Sequence, residues 1–293
     1  MADIFLTEKQ RQRLFKELLQ HLALVFSCSR HVTYLSTAEK RLLLDGDENS
    51  DSRPVFKQKL LGYPEGPLIN QIASYFVLLM TTGLVVLYLL SSYPFRHCPI
   101  EHTPPLTTFD EKNYHDQRIA TVKLVQEQLQ GALTLWEQWR VQQKVQMLAG
   151  VFKRLRRRGL LDLLQLRRTV GSVDKLPIPR HLLIRACEEL NDPSSPLTVC
   201  GRALTKHTVR DSTGWWGPSI GSDEAKNENG IRKVKEILDN AVWINIHQLP
   251  GAVANLEIRI GDGHGVRFDY DPLRFRGFVE PHQTEGWLNR YKH

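Results

Sequence analysis

Cysteine is scarce in this chain of 293 residues. There are four, Cys28, Cys98, Cys187 and Cys200, widely spaced and with no CxxC pair. That excludes a disulfide scaffold and a zinc ribbon and suits a reducing compartment. No GxSxG, HExxH, Walker or CxxC…CxxC pattern occurs, so the common signatures of nucleophilic, zinc-dependent and nucleotide chemistry are missing. HCPIEH offers His97, Cys98, Glu101 and His102 as metal donors, but the spacing matches no zinc pattern and Pro99 interrupts it. Neither a metal site nor a cofactor is expected. The opening MADIFLTEKQRQRLFKELL lacks an apolar core followed by a small-residue cleavage site, and predicts no secretory signal.

Charge is also missing from one place. No charged residue stands between Glu65 and Arg96, and 12 of the 22 residues from Ile72 to Tyr93 are Leu, Val, Ile, Phe or Met. A helix of that length spans about 33 Å, enough for a hydrocarbon core of roughly 30 Å. Tyr75, Tyr93 and Phe95 stand near its ends and Pro94 would stop it. The stretch 69–95 is therefore expected to be a transmembrane helix, with residues 72–93 in contact with membrane lipid. The competing reading is a buried helix of a soluble bundle, and Ser74, Thr81, Thr82 and Gly83 favour it.

Elsewhere charge is ordinary in amount and uneven in place. The net charge is +7. Residues 1–95 and 196–293 each carry +1 and residues 96–195 carry +5, so the excess is local and not a whole-chain nucleic-acid footprint. Its centre is VFKRLRRRGLLDLLQLRR, 151–168. Lys153, Arg154, Arg156, Arg157 and Arg158 are candidates for contact with anionic lipid or RNA, against the plainer reading of a solvated helix face. The cluster and the free thiols place the C-terminal part on the cytosolic side of the expected membrane.

Periodicity divides the chain into four parts. Residues 1–68 are a helical region, with helices over 7–26, capped by Thr7, and over 36–44, opened by Ser36 and Glu39. Residues 69–95 are the apolar run. Residues 96–195 are helical. A long helix over 110–149 carries the stripe Ile119, Val122, Val125, Leu129, Leu133, Trp136 and Trp139, able to pair in a coiled coil with its own protein or with a protein partner. Residues 196–293 form an α+β subdomain beyond the break NDPSSP.

That subdomain opens with a helix over 197–209, passes through DSTGWWG, where Trp215 and Trp216 are a core anchor or an aromatic lid, and continues with a helix over 222–239. Four alternating segments follow, 242–247, 255–260, 265–270 and 274–280, joined by turns. They predict an antiparallel meander packed on a helix. GDGHG reads as a hairpin turn. Strict alternation gathers Asn245, His247, Glu257, Arg259, Arg267, Asp269, Arg276, Phe278 and Glu280 on the polar face, where cross-strand neighbours lie about 5 Å apart. Arg202, Lys206, His207 and Arg210 are expected to dock over it and form a basic pocket.

The fold class expected is thus α+β, mostly helical at the N-terminus with one transmembrane helix. The leading functional reading is a membrane-anchored protein whose C-terminal module binds an anionic ligand or partner through Arg202, Lys206, His207, Arg210, Asn245, Arg259, Arg267 and Arg276. A second is an enzyme acting on a phosphorylated or carboxylated substrate, with His247 and Glu257 as its acid–base pair. A third is a soluble helical scaffold binding RNA or acidic protein.

Overall fold

Capping chemistry sets where the first helices begin. The computed structural model describes residues 6–46, 54–57, 60–82, 111–169, 171–211, 213–218, 220–248 and 251–281. In α1 (Glu8–Ser27) the Gln10 N–H donates to Thr7 Oγ1 at 3.3 Å and the Thr7 N–H donates to Gln10 Oε1 at 2.8 Å. Ser36 and Glu39 repeat the arrangement at α2 (Thr37–Leu44). Then come α3 (Leu68–Thr81), α4 (Glu111–Leu135), a 3-10 turn (Trp136–Gln138) and α5 (Val141–Leu163). They are followed by α6 (Arg180–Glu188), α7 (Val199–Arg210), capped by Thr198, and α8 (Asp223–Asp239), capped by Ser222. The strands β1 (Trp243–His247), β2 (Asn255–Arg259), β3 (Gly265–Tyr270) and β4 (Leu273–Val279) form one antiparallel sheet in chain order. The architecture is α+β, with the sheet at the C-terminal end.

The expected transmembrane helix is corrected by this structure. Among the described residues no helix is long and apolar enough to cross a membrane. The helix α3 has 14 residues, about 21 Å against the roughly 30 Å a bilayer core requires. It is buried along its length except at Asn70 and Gln71, because α1, α2, α4 and α5 surround it. Its apolar circumference is satisfied by protein. Phe76 packs on Phe152 of α5 with ring centroids 5.6 Å apart, and Gln126 Nε2 donates to the Thr82 carbonyl at 2.7 Å, beyond the helix end. The remainder of the run, 83–95, and HCPIEH lie outside the described residues.

The expected helix over 110–149 is two helices. Trp136 donates from Nε1 to Glu17 Oε2 at 2.9 Å, and Lys144 Nζ reaches the same oxygen at 3.2 Å. Both fasten the break to α1. Gln143 Oε1 then accepts from the Arg140 N–H at 2.9 Å, so a new helix starts there. The face of α4 packs along α3 and α5. The basic run falls on α5, which kinks at Arg156 (φ 54°, ψ −169°), a conformation rare outside glycine. Arg157 donates to the carbonyl of Asp174 at 2.7 Å and pairs with Glu39; Arg158 pairs with Asp162 at 2.9 Å and with Asp174 at 3.0 Å. Two of the five cations therefore bind the chain to itself, while Lys153, Arg154 and Arg156 are exposed.

One face of the sheet is apolar: Ile244, Ile246, Leu256, Ile258, Val266 and Phe268 are buried. The helices α6, α7 and α8 pack against it. At the outer edge of β1 the residues 166–169 and 171–173 lie alongside, held by backbone bridges from Leu166 to Ile244 and from Ser172 to His247, which covers an edge that would otherwise be open to pairing. The register of β3 with β4 shifts between Arg267 and Phe268: Arg267 faces Gly277 while Phe268 faces Phe275. Arg276 is the extra residue of a bulge. Alternation reverses beyond it, so Phe278 joins Phe275 on the apolar side, their rings 5.4 Å apart. This corrects the expected placement of Phe278 and Glu280 on the polar face.

On the polar face Glu257 is buried at 4% exposure. Arg259 Nε donates to its Oε1 at 2.6 Å, and Arg267 donates to Oε2 from Nε at 2.8 Å and from Nη2 at 2.5 Å. Burial pushes the carboxyl up, but Arg259 and then Arg267 outweigh it, aided by His247, and its pKa is lowered from 4.5 to about 2.

Two predictions follow from this packing. Phe76→Ala should lower unfolding stability by about 3–5 kcal/mol, read by denaturant titration, because α3 is enclosed and cannot collapse on the cavity. Glu257→Gln, which leaves Arg259 buried without its charge partner, should cost about 3–5 kcal/mol. Because the folded pKa is depressed, the stability Glu257 contributes is complete above about pH 4.5 and fades as pH falls toward 2. The gap between variant and wild-type melting temperatures should narrow over that window.

Candidate functional site

Most of the residues expected to bind a ligand on the polar face of the sheet hold the sheet itself. Asn245, 1% exposed, accepts from Ser172 Oγ at 2.8 Å and donates to Thr169 Oγ1 at 2.9 Å, which clamps the edge segment to β1. Arg259 and Arg267 are committed to Glu257, and Arg259 Nη1 also donates to the carbonyls of Gly263 and Glu280, the latter at 2.8 Å. Arg276 pairs with Asp269 at 3.0 Å on the surface. His247 is half-buried at the end of β1, near enough to Glu257 to favour its charge. A carboxylate with both oxygens taken by guanidinium groups is poorly placed to exchange a proton with it. Arg202, Lys206, His207 and Arg210 do not cover this face, because α7 packs on α8 and β4 on the other side of the sheet.

On that other side, at the rim of the sheet, a different set converges. The bulge turns Glu280, just past β4, toward α7. Its Oε1 lies 2.7 Å from His207 Nδ1 and accepts from Trp216 Nε1 at 2.8 Å; its Oε2 lies 3.4 Å from His264 Nε2. His264 belongs to the β2–β3 turn. Its Nδ1 is 3.0 Å from Asp262 Oδ1, at ion-pair distance but without the alignment of a hydrogen bond. Burial works against charge on Asp262, yet the His264 backbone N–H, donating at 3.0 Å, and the His264 ring lower its pKa overall.

The tryptophans position the imidazoles. Trp216, 2% exposed, has its ring centroid 4.8 Å from that of His207, 5.3 Å from that of His264 and 5.1 Å from that of Phe278. Trp215 stacks flat on His264 at 3.8 Å and 5°, with Lys233 Nζ 4.3 Å from its ring centroid. The loop carrying both is set by Asp211, whose carboxylate accepts from Thr213 Oγ1 at 2.6 Å, from the Thr213 N–H at 2.7 Å and from the Trp216 N–H at 3.2 Å. The Thr213 hydroxyl is the main reason its pKa falls to about 2. Gly214 and Gly217 flank the pair at φ 74° and 77°, the left-handed region in which glycine carries no Cβ penalty.

Among the described residues, no group of three or more His, Cys, Asp or Glu side chains is arranged to hold a metal ion. The rim can instead move protons. A carboxylate orients one imidazole through Nδ1, a second imidazole stands on the same carboxylate, and the side chains of His207 and Glu280 remain 24% and 28% exposed. Of this set the sequence pointed only to His207. His264 was hidden in a turn motif, Trp215 and Trp216 had no assigned partner, and Glu280 was placed on the wrong face by unbroken alternation.

Residues 189–280, just under a third of the chain, match a family described as the CdiA C-terminal tRNase toxin domain. Comparison with curated proteins and with solved structures finds no match. The match spans α7, α8 and the whole sheet, and the three rim residues lie inside it. Together with the enclosure of α3 it overturns the reading of a membrane-anchored, anion-binding protein with a cytosolic C-terminal part. The nuclease description also displaces the helical scaffold, and the commitment of Glu257 to Arg259 and Arg267 argues against its acting as an acid–base pair with His247.

Proposed function

We propose that residues 189–280 are a ribonuclease that cuts transfer RNA, with His207, His264 and Glu280 at the reacting centre. The observation that carries this is the convergence of two imidazoles on one carboxylate inside the stretch resembling a tRNase toxin domain. RNA brings its own nucleophile, the 2′-hydroxyl. A protein has to remove that proton, hold the phosphate and return a proton to the departing oxygen.

The rim has groups for the two proton transfers. Glu280 accepts from His207 Nδ1 and so leaves Nε2 as the unprotonated nitrogen. Nε2 takes the 2′-hydroxyl proton, O2′ forms a bond to the adjacent phosphorus, the bond from phosphorus to O5′ breaks, and His264 gives a proton to O5′. The products are a 2′,3′-cyclic phosphate and a 5′-hydroxyl. Trp216 fixes both rings and Trp215 carries His264. In this reading Glu257, Arg259 and Arg267 support the sheet beneath the site and do not touch substrate. Loss of intact tRNA stops translation, the consequence expected of a toxin of that kind.

The test is incubation of the full chain with total tRNA, followed on a denaturing gel. Wild type should give discrete fragments. His207→Gln, His264→Gln and Glu280→Gln should each slow single-turnover cutting about 10²–10⁴-fold while melting temperatures stay near that of wild type. Intact tRNA after incubation with wild type, or undiminished cutting by the two histidine variants, would contradict the proposal.

A further inference from the structure

We infer that Arg202, Lys206 and Arg210 form a phosphate-binding ridge on the outer face of α7, along which the backbone of a structured RNA runs to the site at His207 and Glu280. The inference rests on the ribonuclease reading and adds to it the surface that holds the substrate.

All three side chains are exposed. Among the described residues none of them makes a hydrogen bond or an ion pair. Arg202 acts on Asp192 only as a neighbouring charge, and Asp211, next to Arg210, has its carboxylate engaged by Thr213 and Trp216. The charge is therefore uncompensated, unlike that of Arg157 and Arg158 on α5, which are tied to Glu39, Asp162 and Asp174.

Geometry gives the ridge a direction. A four-residue step rises about 6 Å along a helix and turns about 40° around it, a rise close to the separation of successive phosphates on an RNA strand. With Arg202 at the origin, Lys206 stands at about 40°, Arg210 at about 80° and His207 at about 140° around α7. The row winds toward the flank on which His207 meets Glu280. The opposite side, with Cys200, Gly201 and Leu204, is buried; a Cβ on Gly230 of α8 would lie 2.9 Å from Cys200 Sγ, so the two helices are in close contact and the ridge has one way to face. Val209, 79% exposed on the ridge side, offers an apolar surface for a ribose. Flexible cations in line bind a strand by its phosphates and leave sequence unread.

The test uses the full chain and a fluorescent, fully 2′-O-methylated RNA hairpin, which lacks the nucleophile and stays intact. Affinity is read by anisotropy across a potassium chloride series. For wild type, log K should fall linearly with log salt. The variant Arg202→Gln/Lys206→Gln/Arg210→Gln should flatten that slope by about 2–3 and weaken binding at the lowest salt by at least about tenfold. Its circular dichroism and melting temperature should match wild type, since all three residues are exposed. Lys153→Gln/Arg154→Gln, exposed cations on α5, should leave slope and affinity unchanged. An unaltered slope in the triple variant, or equal flattening in the α5 variant, overturns the ridge. If wild type cuts tRNA while the slope is unaltered, the ridge fails and the ribonuclease stands. If the slope flattens as expected but wild type leaves tRNA whole, the ribonuclease fails and the ridge stands as an RNA-binding surface.

Discussion

The bulge at Arg276 puts the Glu280 carboxylate on the helix-covered side of the sheet, and the rim site is organised around that carboxylate. One oxygen holds His207 and Trp216, and the other faces His264. Without the extra residue, strict alternation would turn Glu280 to the polar face of the sheet, away from His207 and Trp216. With it, one face of the sheet carries a closed ion cluster and the other side, at the rim, carries the partly exposed His207 beside the buried His264. Arg259 joins the two, binding Glu257 on its own face and reaching the carbonyls of Gly263 and Glu280 at the rim. Removal of the ion cluster would therefore loosen both the turn that carries His264 and the chain that carries Glu280.

The parts of the rim come from separate elements, each fixed by its own local chemistry. His207 is set by α7, which its Thr198 cap begins and its close packing on α8 orients. The tryptophan loop is set by the Asp211 hydrogen bonds. His264 is set by its turn and by the flat stack on Trp215. Groups held in this way lose little freedom when a substrate arrives, which is what proton transfer at a fixed distance requires. The N-terminal helices reach this part of the chain through Tyr63, whose N–H donates to the Leu238 carbonyl at 2.7 Å and whose hydroxyl donates to that of Ile178 at 2.6 Å.

Local rules made much of the fold legible. Thr7, Ser36 and Ser222 stand at helix starts because a side-chain oxygen there satisfies an orphan N–H, and the four strands follow from period-two alternation between turns. What stayed hidden depended on partners distant in sequence. An all-apolar helix asks only for an apolar surround, and the residues of α3 read alike whether lipid or α1, α2, α4 and α5 provide it. Trp136 ends α4 through a glutamate on α1, a contact no periodicity foretells. In the basic run, Arg157 and Arg158 became internal ties because Glu39 and Asp174 came within reach. A bulge has no strong sequence mark, yet it reverses every later residue of its strand. The site was thus sought at His247 and Glu257, where polar residues gather, while His264 and Glu280 took their meaning only from the fold.

The rim chemistry is distinguished from other routes to a cut strand by the ends it leaves. Attack by the 2′-hydroxyl, with protons handled by His207 and His264, leaves a 2′,3′-cyclic phosphate upstream of the break and a 5′-hydroxyl downstream. Mass spectrometry of the fragments released from tRNA by the full chain reads this directly. The account predicts those two termini. Fragments ending in a 3′-hydroxyl and a 5′-phosphate, the products of attack by water on the phosphorus, would contradict it.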